Sequence, residues 1–155
     1  MKLTDIMTTP PVTISGRATA ANAALTMVQR GCGFLPVVED GVAVGVVTGR
    51  DLATRLAARE LHATDVNVRR VMSSPTLGLG VESDVEEACA LMQERDVHRL
   101  VVTDDNGTLV GVVSLSDIAG HTDHEWVART LRSHADHSSH VSAEFVISLP
   151  GQYLG

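Results

Sequence analysis

An internal repeat constrains this chain more than any other feature of its sequence. Residues 7–40 align with residues 72–105 at an offset of 65, with eight of 34 positions identical. After one inserted residue, Asn106, residues 41–53 align with residues 107–119, with seven of 13 positions identical. A single copy of roughly 55 residues would be only marginally stable alone, because so short a chain buries a small fraction of its surface. We therefore predict that two copies of one fold pack together as a single module.

Each copy shows the same order of turn signals and apolar periodicity. A Met-x-x-Pro turn precedes a short extended segment, an amphipathic helix, two strands joined by a tight turn, and a second helix. Thr19 is expected to cap the first helix of one copy, and Asp84 with Glu87 to form a capping box in the other. Gly45 and Gly111, inside strands, predict a close approach of another backbone or a ligand. The buried helix faces are predicted to be Ala21, Ala24, Leu25 and Val28, and Val85, Ala88, Leu91 and Met92.

These patterns predict a mixed α/β fold: two pseudo-symmetric β-α-β-β-α repeats packed as one module, followed by a C-terminal helix and strand as a tail. The expected boundaries are 4–60 for the first repeat, 61–70 for a connector, 71–120 for the second repeat and 121–155 for a histidine-containing extension. The connector contains no glycine or proline. We therefore expect a helix tail plus a short link rather than a flexible linker.

Composition and charge argue against several classes of protein. The 155 residues are 44% hydrophobic and 20% charged, which is typical of a globular chain. No apolar run reaches the roughly 18 residues of a membrane-spanning helix, and the N-terminus lacks the layout of a signal peptide. We therefore expect a cytoplasmic protein with no membrane partner, in which Cys32 and Cys89 are reduced thiols. The formal net charge of −7 argues against nucleic acid as a partner.

The densest part of the repeat is the block Gly-Val-Val-Thr/Ser-x-x-Asp, which ends at Asp51 and Asp117. The hydroxyl of Thr48 or Ser114 can bind a phosphate oxygen beside a helix N-terminus, which favours an anion. The carboxylate three residues later can accept hydrogen bonds from both hydroxyls of a ribose. Ser, Thr and Asp are also the preferred helix caps. The spacing alone therefore leaves both capping and ligand binding open.

The repeated block, the Met-x-x-Pro opening and the Leu-Pro-Val-Val strand at residues 35–38 resemble a pair of cystathionine-beta-synthase (CBS) domains, also called a Bateman pair. The resemblance covers residues 4–120. The second copy, with Val-His-Arg-Leu-Val-Val at residues 97–102, is also similar to a nucleotide-binding repeat in the gamma subunit of AMP-activated protein kinase. The resemblance implies an adenosine ligand, such as AMP, ADP, ATP, NAD or S-adenosylmethionine, in clefts between the repeats.

The two copies differ at the positions where a phosphate would be met. The second copy has the pair His98-Arg99 before its first hairpin strand, and the first copy has Gly33 and Phe34 there. We therefore expect unequal sites, with the second copy binding phosphorylated ligands more tightly. The nucleotide-binding candidates are His98, Arg99, Ser114, Ser116 and Asp117 in the second copy, and Thr48, Arg50 and Asp51 in the first.

The extension beyond the repeats holds five of the seven histidines: His121, His124, His134, His137 and His140. Their spacing suggests a transition-metal site on one helical face, although clustered histidines beside serines are more typical of a solvated connector. Residues 141–149 alternate between apolar and mostly polar residues, the pattern of a half-buried strand. Because such a strand needs a partner edge, exchange across a dimer is an open possibility.

Together these features predict a non-enzymatic regulatory module that binds an adenosine nucleotide between its repeats and signals by conformational change to an unidentified protein. A homodimer is expected, and no redox or metal cofactor. A constitutive dimerisation or scaffold module without a ligand, and metal sensing through the extension, remain alternatives. The sequence contains neither a Gly-x-x-x-x-Gly-Lys-Ser/Thr phosphate loop nor a Gly-x-Ser-x-Gly elbow, so an enzyme is not expected.

Overall fold

The order of elements follows the sequence repeat. A computed structural model of the chain describes residues 1–121, and the helix, strand and histidine cluster predicted beyond that point lie outside the described residues. No helix among residues 1–121 has the length and apolarity to cross a membrane. The elements are β1 (Ile14–Ser15), α1 (Ala20–Arg30), β2 (Phe34–Glu39), β3 (Val42–Thr48), α2 (Gly49–Ala57), β4 (Gly78–Gly80), α3 (Val85–Arg95), β5 (Arg99–Thr103), β6 (Leu109–Ser114) and α4 (Leu115–Ala119), with short 3-10 turns at Leu3–Asp5 and Val68–Arg70.

The strands form two sheets of the same topology. In the first, β1 runs parallel to β2, and β2 pairs antiparallel with β3. In the second, β4, β5 and β6 repeat this arrangement. Each sheet carries a helix between its first and second strands and another after its third. The predicted mixed α/β fold of two β-α-β-β-α repeats is confirmed.

Both predicted helix caps are present. The Thr19 hydroxyl oxygen accepts a hydrogen bond from the backbone N–H of Asn22 at 3.1 Å, where α1 begins. At α3, Asp84 accepts from the N–H of Glu87 at 2.9 Å, and the Glu87 carboxylate accepts from the N–H of Asp84 at 3.0 Å. These bonds satisfy N–H groups that the first turn of a helix leaves without partners.

The prediction for the buried face of α1 is wrong. The residues that pack inward are Ala20, Ala23 and Met27, whereas Leu25 is 54% exposed and Val28 is 80% exposed. The cap at Thr19 fixes where the helix begins, and the residues at i, i+3 and i+7 from Ala20 then face the sheet. In α3 the predicted face is confirmed, since Val85, Ala88 and Met92 are buried and Leu91 is partly buried.

The two cores do not follow the repeat boundaries. One core joins Leu3 and Ile6, from the N-terminus, to the helices and strands of the second repeat. The other joins Val66, Val68 and Val71 to the elements of the first repeat. The segment that precedes each repeat in sequence therefore completes the core of the other repeat. The predicted connector, residues 61–70, is part of a core rather than only a link.

Two equivalent backbone pairings join each exchanged segment to a strand of the other repeat. Thr8 forms two backbone hydrogen bonds with Val112 of β6, at 2.8 and 3.1 Å, and Ser73 forms two with Val46 of β3, at 2.8 and 2.9 Å. Beside these bridges, Met7 lies against Gly111 and Met72 lies against Gly45. The predicted close approach at both glycines is thus made by the segment of the other repeat.

Cys89 is a buried member of the core of the second repeat. Burial, with a smaller contribution from the negative charge of Glu86, raises the pKa of the Cys89 thiol above its ordinary value. Both cysteines are free thiols, as expected from the sequence. A neutral thiol in this position packs as a small apolar side chain.

Substitution of Gly45 by alanine should destabilise the fold more than the same change at Gly111. A β-carbon at Gly45 would lie 2.8 Å from the backbone oxygen of Ser73, which cannot move without breaking the bridge to Val46. At Gly111 the closest atom, at 2.5 Å, is the sulfur of Met7, a flexible side chain that can give way.

We expect Gly45→Ala to cost about 1–3 kcal/mol of unfolding free energy, the usual range for overpacking. At roughly 2–4 °C per kcal/mol for a chain of this size, thermal denaturation will resolve the change. Gly80→Ala is the control, because a β-carbon there meets no atom within 4 Å. Equal melting temperatures for Gly45→Ala and Gly80→Ala would contradict this account of the contact.

Candidate functional site

A cleft of about 880 Å³ lies between the first repeat and two parts of the second repeat, the segment that pairs with β3 and the start of the β5–β6 hairpin. Its walls come from both repeats, because the exchanged segment 72–75 brings the second repeat across β3. The residues that line it include Gly33, Phe34, Thr48, Arg50 and Asp51 of the first repeat, and Ser73, Asp96, His98 and Arg99 of the second.

The cleft brings together Thr48, Arg50, Asp51, His98 and Arg99, five of the eight candidates named from the sequence. The other three, which belong to the second repeat, are not among the residues that line it: Ser114, Ser116 and Asp117. The sequence had grouped the basic pair with the hydroxyl and carboxylate of its own repeat. The structure instead places that basic pair in the cleft of the Thr48 and Asp51 block.

Thr48 and Asp51 form a complete capping box at the start of α2. Asp51 Oδ2 accepts hydrogen bonds from the backbone N–H and the hydroxyl of Thr48, both at 2.9 Å. The Thr48 hydroxyl oxygen accepts in turn from the backbone N–H of Asp51 at 3.1 Å. The capping interpretation is therefore correct for this pair. The only hydroxyl proton of Thr48 is already donated to Asp51.

The second carboxylate oxygen of Asp51 is held by two residues that the sequence analysis missed. Asp51 Oδ1 accepts a hydrogen bond from the Ser73 hydroxyl at 3.1 Å and lies 3.4 Å from Nη2 of Arg55. Arg55 also donates to the Ser73 hydroxyl at 2.9 Å and to the backbone oxygen of Val71 at 2.8 Å. With only 8% of its surface exposed, Asp51 is the one buried charged residue in the described part of the chain.

Different signals would have been needed to find these two residues. Arg55 follows Asp51 by four positions, the spacing of an ion pair along a helix, so the sequence offered a local signal. Ser73 is 22 residues from Asp51 and belongs to the exchanged segment. No local pattern connects it to α2, because the contact depends on how the repeats pack.

Ser114 and Asp117 form the equivalent capping box at α4. Asp117 Oδ2 accepts from the Ser114 backbone N–H at 2.8 Å and from its hydroxyl at 2.6 Å, and the Ser114 oxygen accepts from the N–H of Asp117 at 3.2 Å. Within residues 1–121, however, no group donates to Oδ1 of Asp117. Thr8 and His121 occupy the positions that correspond to Ser73 and Arg55, and neither binds this carboxylate.

The basic side chains are distributed unequally between the two blocks. Arg50, His98 and Arg99 all line the described cleft and are exposed. The residue that corresponds to Arg50 in the second repeat is the uncharged Ser116. Phe34 stands opposite Thr48 in the hairpin ladder, whereas Arg99 stands opposite Ser114. The described cleft therefore combines the buried carboxylate of Asp51 with three basic side chains and one exposed carboxylate, that of Asp96, in a chain of net charge −7.

Residues 1–121 contain no group of three or more histidine, cysteine, aspartate or glutamate side chains arranged to hold a metal ion. His121 is the one member of the predicted histidine cluster within this range. Its Nδ1 lies 2.8 Å from the backbone oxygen of Asp117, at the end of α4. The remaining four histidines lie outside the described residues.

Comparison with known proteins agrees with the fold and the repeat. The CBS domain family model matches twice, at residues 3–58 and 68–123. The CBS domain-containing protein YhcV of Bacillus subtilis (strain 168) is 38% identical over 115 residues, which are 74% of this chain and 81% of that protein.

Two solved structures are similar over most of the chain. The CBS domain protein TA0289 of unknown function from Thermoplasma acidophilum has a TM-score of 0.79 and 28% identity, covering 87% of this chain and 76% of that one. The CBS domain protein PAE2072 from Pyrobaculum aerophilum, complexed with AMP, has a TM-score of 0.72 and covers 85% of this chain and 99% of that one. At 22% identity the second comparison shows the fold alone.

The paired Gly-Val-Val-Thr/Ser-x-x-Asp blocks, the two β-α-β-β-α repeats and the double match of the family model agree with one another. The chain belongs to the CBS-domain family and carries a tandem pair of CBS domains.

Proposed function

We propose that the cleft binds an adenosine-containing nucleotide, such as AMP, ADP, ATP or NAD, and that the chain is a non-enzymatic regulatory module that signals by a change of conformation. The observation that carries the proposal is the basic rim: Arg50, His98 and Arg99 surround one cleft in an otherwise acidic chain. A similar fold, that of PAE2072, was solved with AMP.

The cleft offers a different contact for each part of such a ligand. The rim arginines can form charge-assisted hydrogen bonds to a phosphate, and these are about twice as strong as neutral ones. The N-terminus of α2, which begins at Gly49 on the cleft wall, also favours an anion. The carboxylates of Asp51 and Asp117 are candidates for accepting ribose hydroxyls, one for each repeat.

This assignment changes the expected ranking of the two sites. The sequence favoured the second repeat for phosphorylated ligands because it paired His98 and Arg99 with Asp117. In the structure the basic pair lines the cleft of Asp51. We therefore propose that the Asp51 cleft discriminates for phosphate, and that the Ser114, Ser116 and Asp117 block provides a second, less charged site.

The first prediction for this function concerns ligand binding by the intact chain. Saturation with AMP at 100 times the dissociation constant should stabilise the fold by about 2.7 kcal/mol, which corresponds to a rise in melting temperature of roughly 5–10 °C. Mass spectrometry of small molecules released when the purified protein is denatured should identify an adenosine compound. If nothing is released and no adenine nucleotide raises the melting temperature, the proposed nucleotide binding is wrong, and the scaffold and metal-sensing alternatives remain.

The second prediction concerns the phosphate. Arg99→Ala should weaken AMP about tenfold, because a hydrogen bond to a charged group contributes roughly 1.5 kcal/mol or more, and it should leave adenosine almost unchanged. Calorimetric titration with both ligands measures the difference. Arg17→Ala is the control, since it removes an exposed arginine that does not line the cleft. Equal losses for AMP and adenosine would mean that Arg99 does not contact the phosphate.

A second candidate function is dimerisation, and the exposed face of α1 favours it. Leu25 and Val28 are 54% and 80% exposed, and a pair of neighbouring large apolar side chains on one helix is typical of a surface that packs on another chain. This function is compatible with ligand binding.

If α1 is a dimer surface, light scattering of the full chain at micromolar concentration should give twice the chain mass of 16.4 kDa. Val28→Asp should shift the protein towards the monomer, because a carboxylate buried between two apolar helix faces is costly. Val42→Asp is the matched control, because Val42 is an exposed apolar residue on a hairpin rather than on α1. A wild-type monomer would exclude this surface as a dimer interface.

A further inference from the structure

We propose that Arg55 and Ser73 form an internal lock on Asp51, and that a ribose must displace it to reach the carboxylate. The two residues would then set the affinity and the sugar selectivity of the Asp51 cleft. This inference rests on the proposed nucleotide-binding function. It adds that two residues influence ligand affinity through Asp51, without contacting the ligand themselves.

The acceptor capacity of the carboxylate is the first argument. An ionised carboxylate has about four lone-pair sites, two on each oxygen. Oδ2 already accepts two hydrogen bonds, both from Thr48. Oδ1 accepts one from the Ser73 hydroxyl, and the guanidinium of Arg55 lies beside it at 3.4 Å. Asp51 therefore has almost no acceptor capacity left for the two hydroxyls of a ribose.

The lock also holds α2 against the exchanged segment. Arg55 donates to the backbone oxygens of Val71 and Met72 and to the hydroxyl of Ser73. It therefore fastens α2 to the segment that pairs with β3 and packs Met72 on Gly45. A ribose that donated hydrogen bonds to Oδ1 would displace the Ser73 hydroxyl and the Arg55 guanidinium from that oxygen. Binding at this cleft would thus loosen a joint between the two repeats.

The second repeat provides an internal comparison. Asp117 has the same capping box, but Oδ1 accepts no hydrogen bond from any residue between 1 and 121. Thr8 stands where Ser73 stands, with the same pair of backbone bonds to the opposite strand, and its hydroxyl makes no hydrogen bond in this part of the chain. Among residues 1–121, a ribose at Oδ1 of Asp117 would therefore displace no hydrogen bond, whereas a ribose at Asp51 would disturb the contact between the repeats.

The test measures how tightly the Ser73→Ala variant binds AMP and an analogue without ribose hydroxyls. This change removes the hydroxyl that competes for Oδ1 and leaves the backbone bridge to Val46 intact. Affinity for AMP in the Asp51 cleft should increase about threefold to tenfold, the equivalent of one neutral hydrogen bond that no longer has to be broken. Affinity for 2′,3′-dideoxy-AMP, which has the phosphate but no ribose hydroxyls, should not change.

Titrations in an Asp117→Ala background isolate the Asp51 cleft, and Thr8→Ala is the matched control with an expected ratio of one. Arg55→Met is a second variant that should also raise AMP affinity, even where its melting temperature falls. An equal gain for both ligands would show that the cleft merely opened. An unchanged AMP affinity in Ser73→Ala would show that Ser73 does not compete with the ribose, and a weaker affinity would show that Ser73 binds the ligand. Each of these results overturns the lock while leaving nucleotide binding in place. If no variant and no wild-type chain binds AMP, the proposed function itself fails.

Discussion

Met72 lies over Gly45 and Met7 lies over Gly111, and beside each contact a short backbone bridge ties one repeat to the hairpin of the other. Most of the structure depends on this reciprocal exchange. It divides the hydrophobic residues into two cores that each need both halves of the sequence, so neither repeat is a complete unit. It also brings the segment of the second repeat across β3, and that crossing creates the cleft. A bare α-hydrogen at each glycine is what allows the crossing segment to come so close.

A nearly symmetric fold thus places two equivalent capping boxes in chemically different surroundings. The capping boxes at α2 and α4 have the same bonds within a few tenths of an ångström. The differences lie in residues outside the two hydrophobic cores. Arg50 is replaced by Ser116, and Ser73 and Arg55 are replaced by Thr8 and His121. Because these residues lie outside the cores, they can differ between the repeats while both cores are kept, and the surroundings of Asp51 and Asp117 then differ in charge and in hydrogen-bond partners.

The sequence predicted those parts of the fold that depend on local pattern. The alternation of strands, the turn residues and the caps at Thr19 and Asp84 act within a few residues, and all were correct. The buried face of α1 was wrong because four of the first five residues of that helix are alanines, and such a run does not show which side of the helix faces the sheet. The structure groups the candidate site residues differently from the sequence repeat. His98 and Arg99 are close to Ser114 in the hairpin ladder, and only the packing of the repeats reveals that they line the cleft of Asp51.

The capping boxes also explain why Thr or Ser and Asp recur together at this position. The hydroxyl donates its single proton to the carboxylate and accepts the backbone N–H of the same aspartate. It therefore holds one carboxylate oxygen still and leaves the other directed away from the helix start. Capping and ligand binding are then not competing explanations, because the cap occupies Oδ2 and thereby orients the carboxylate, and Oδ1 is the oxygen that a ribose would meet. Within residues 1–121, the two repeats differ at that oxygen: Oδ1 of Asp51 is held by Ser73 and Arg55, whereas Oδ1 of Asp117 accepts no hydrogen bond.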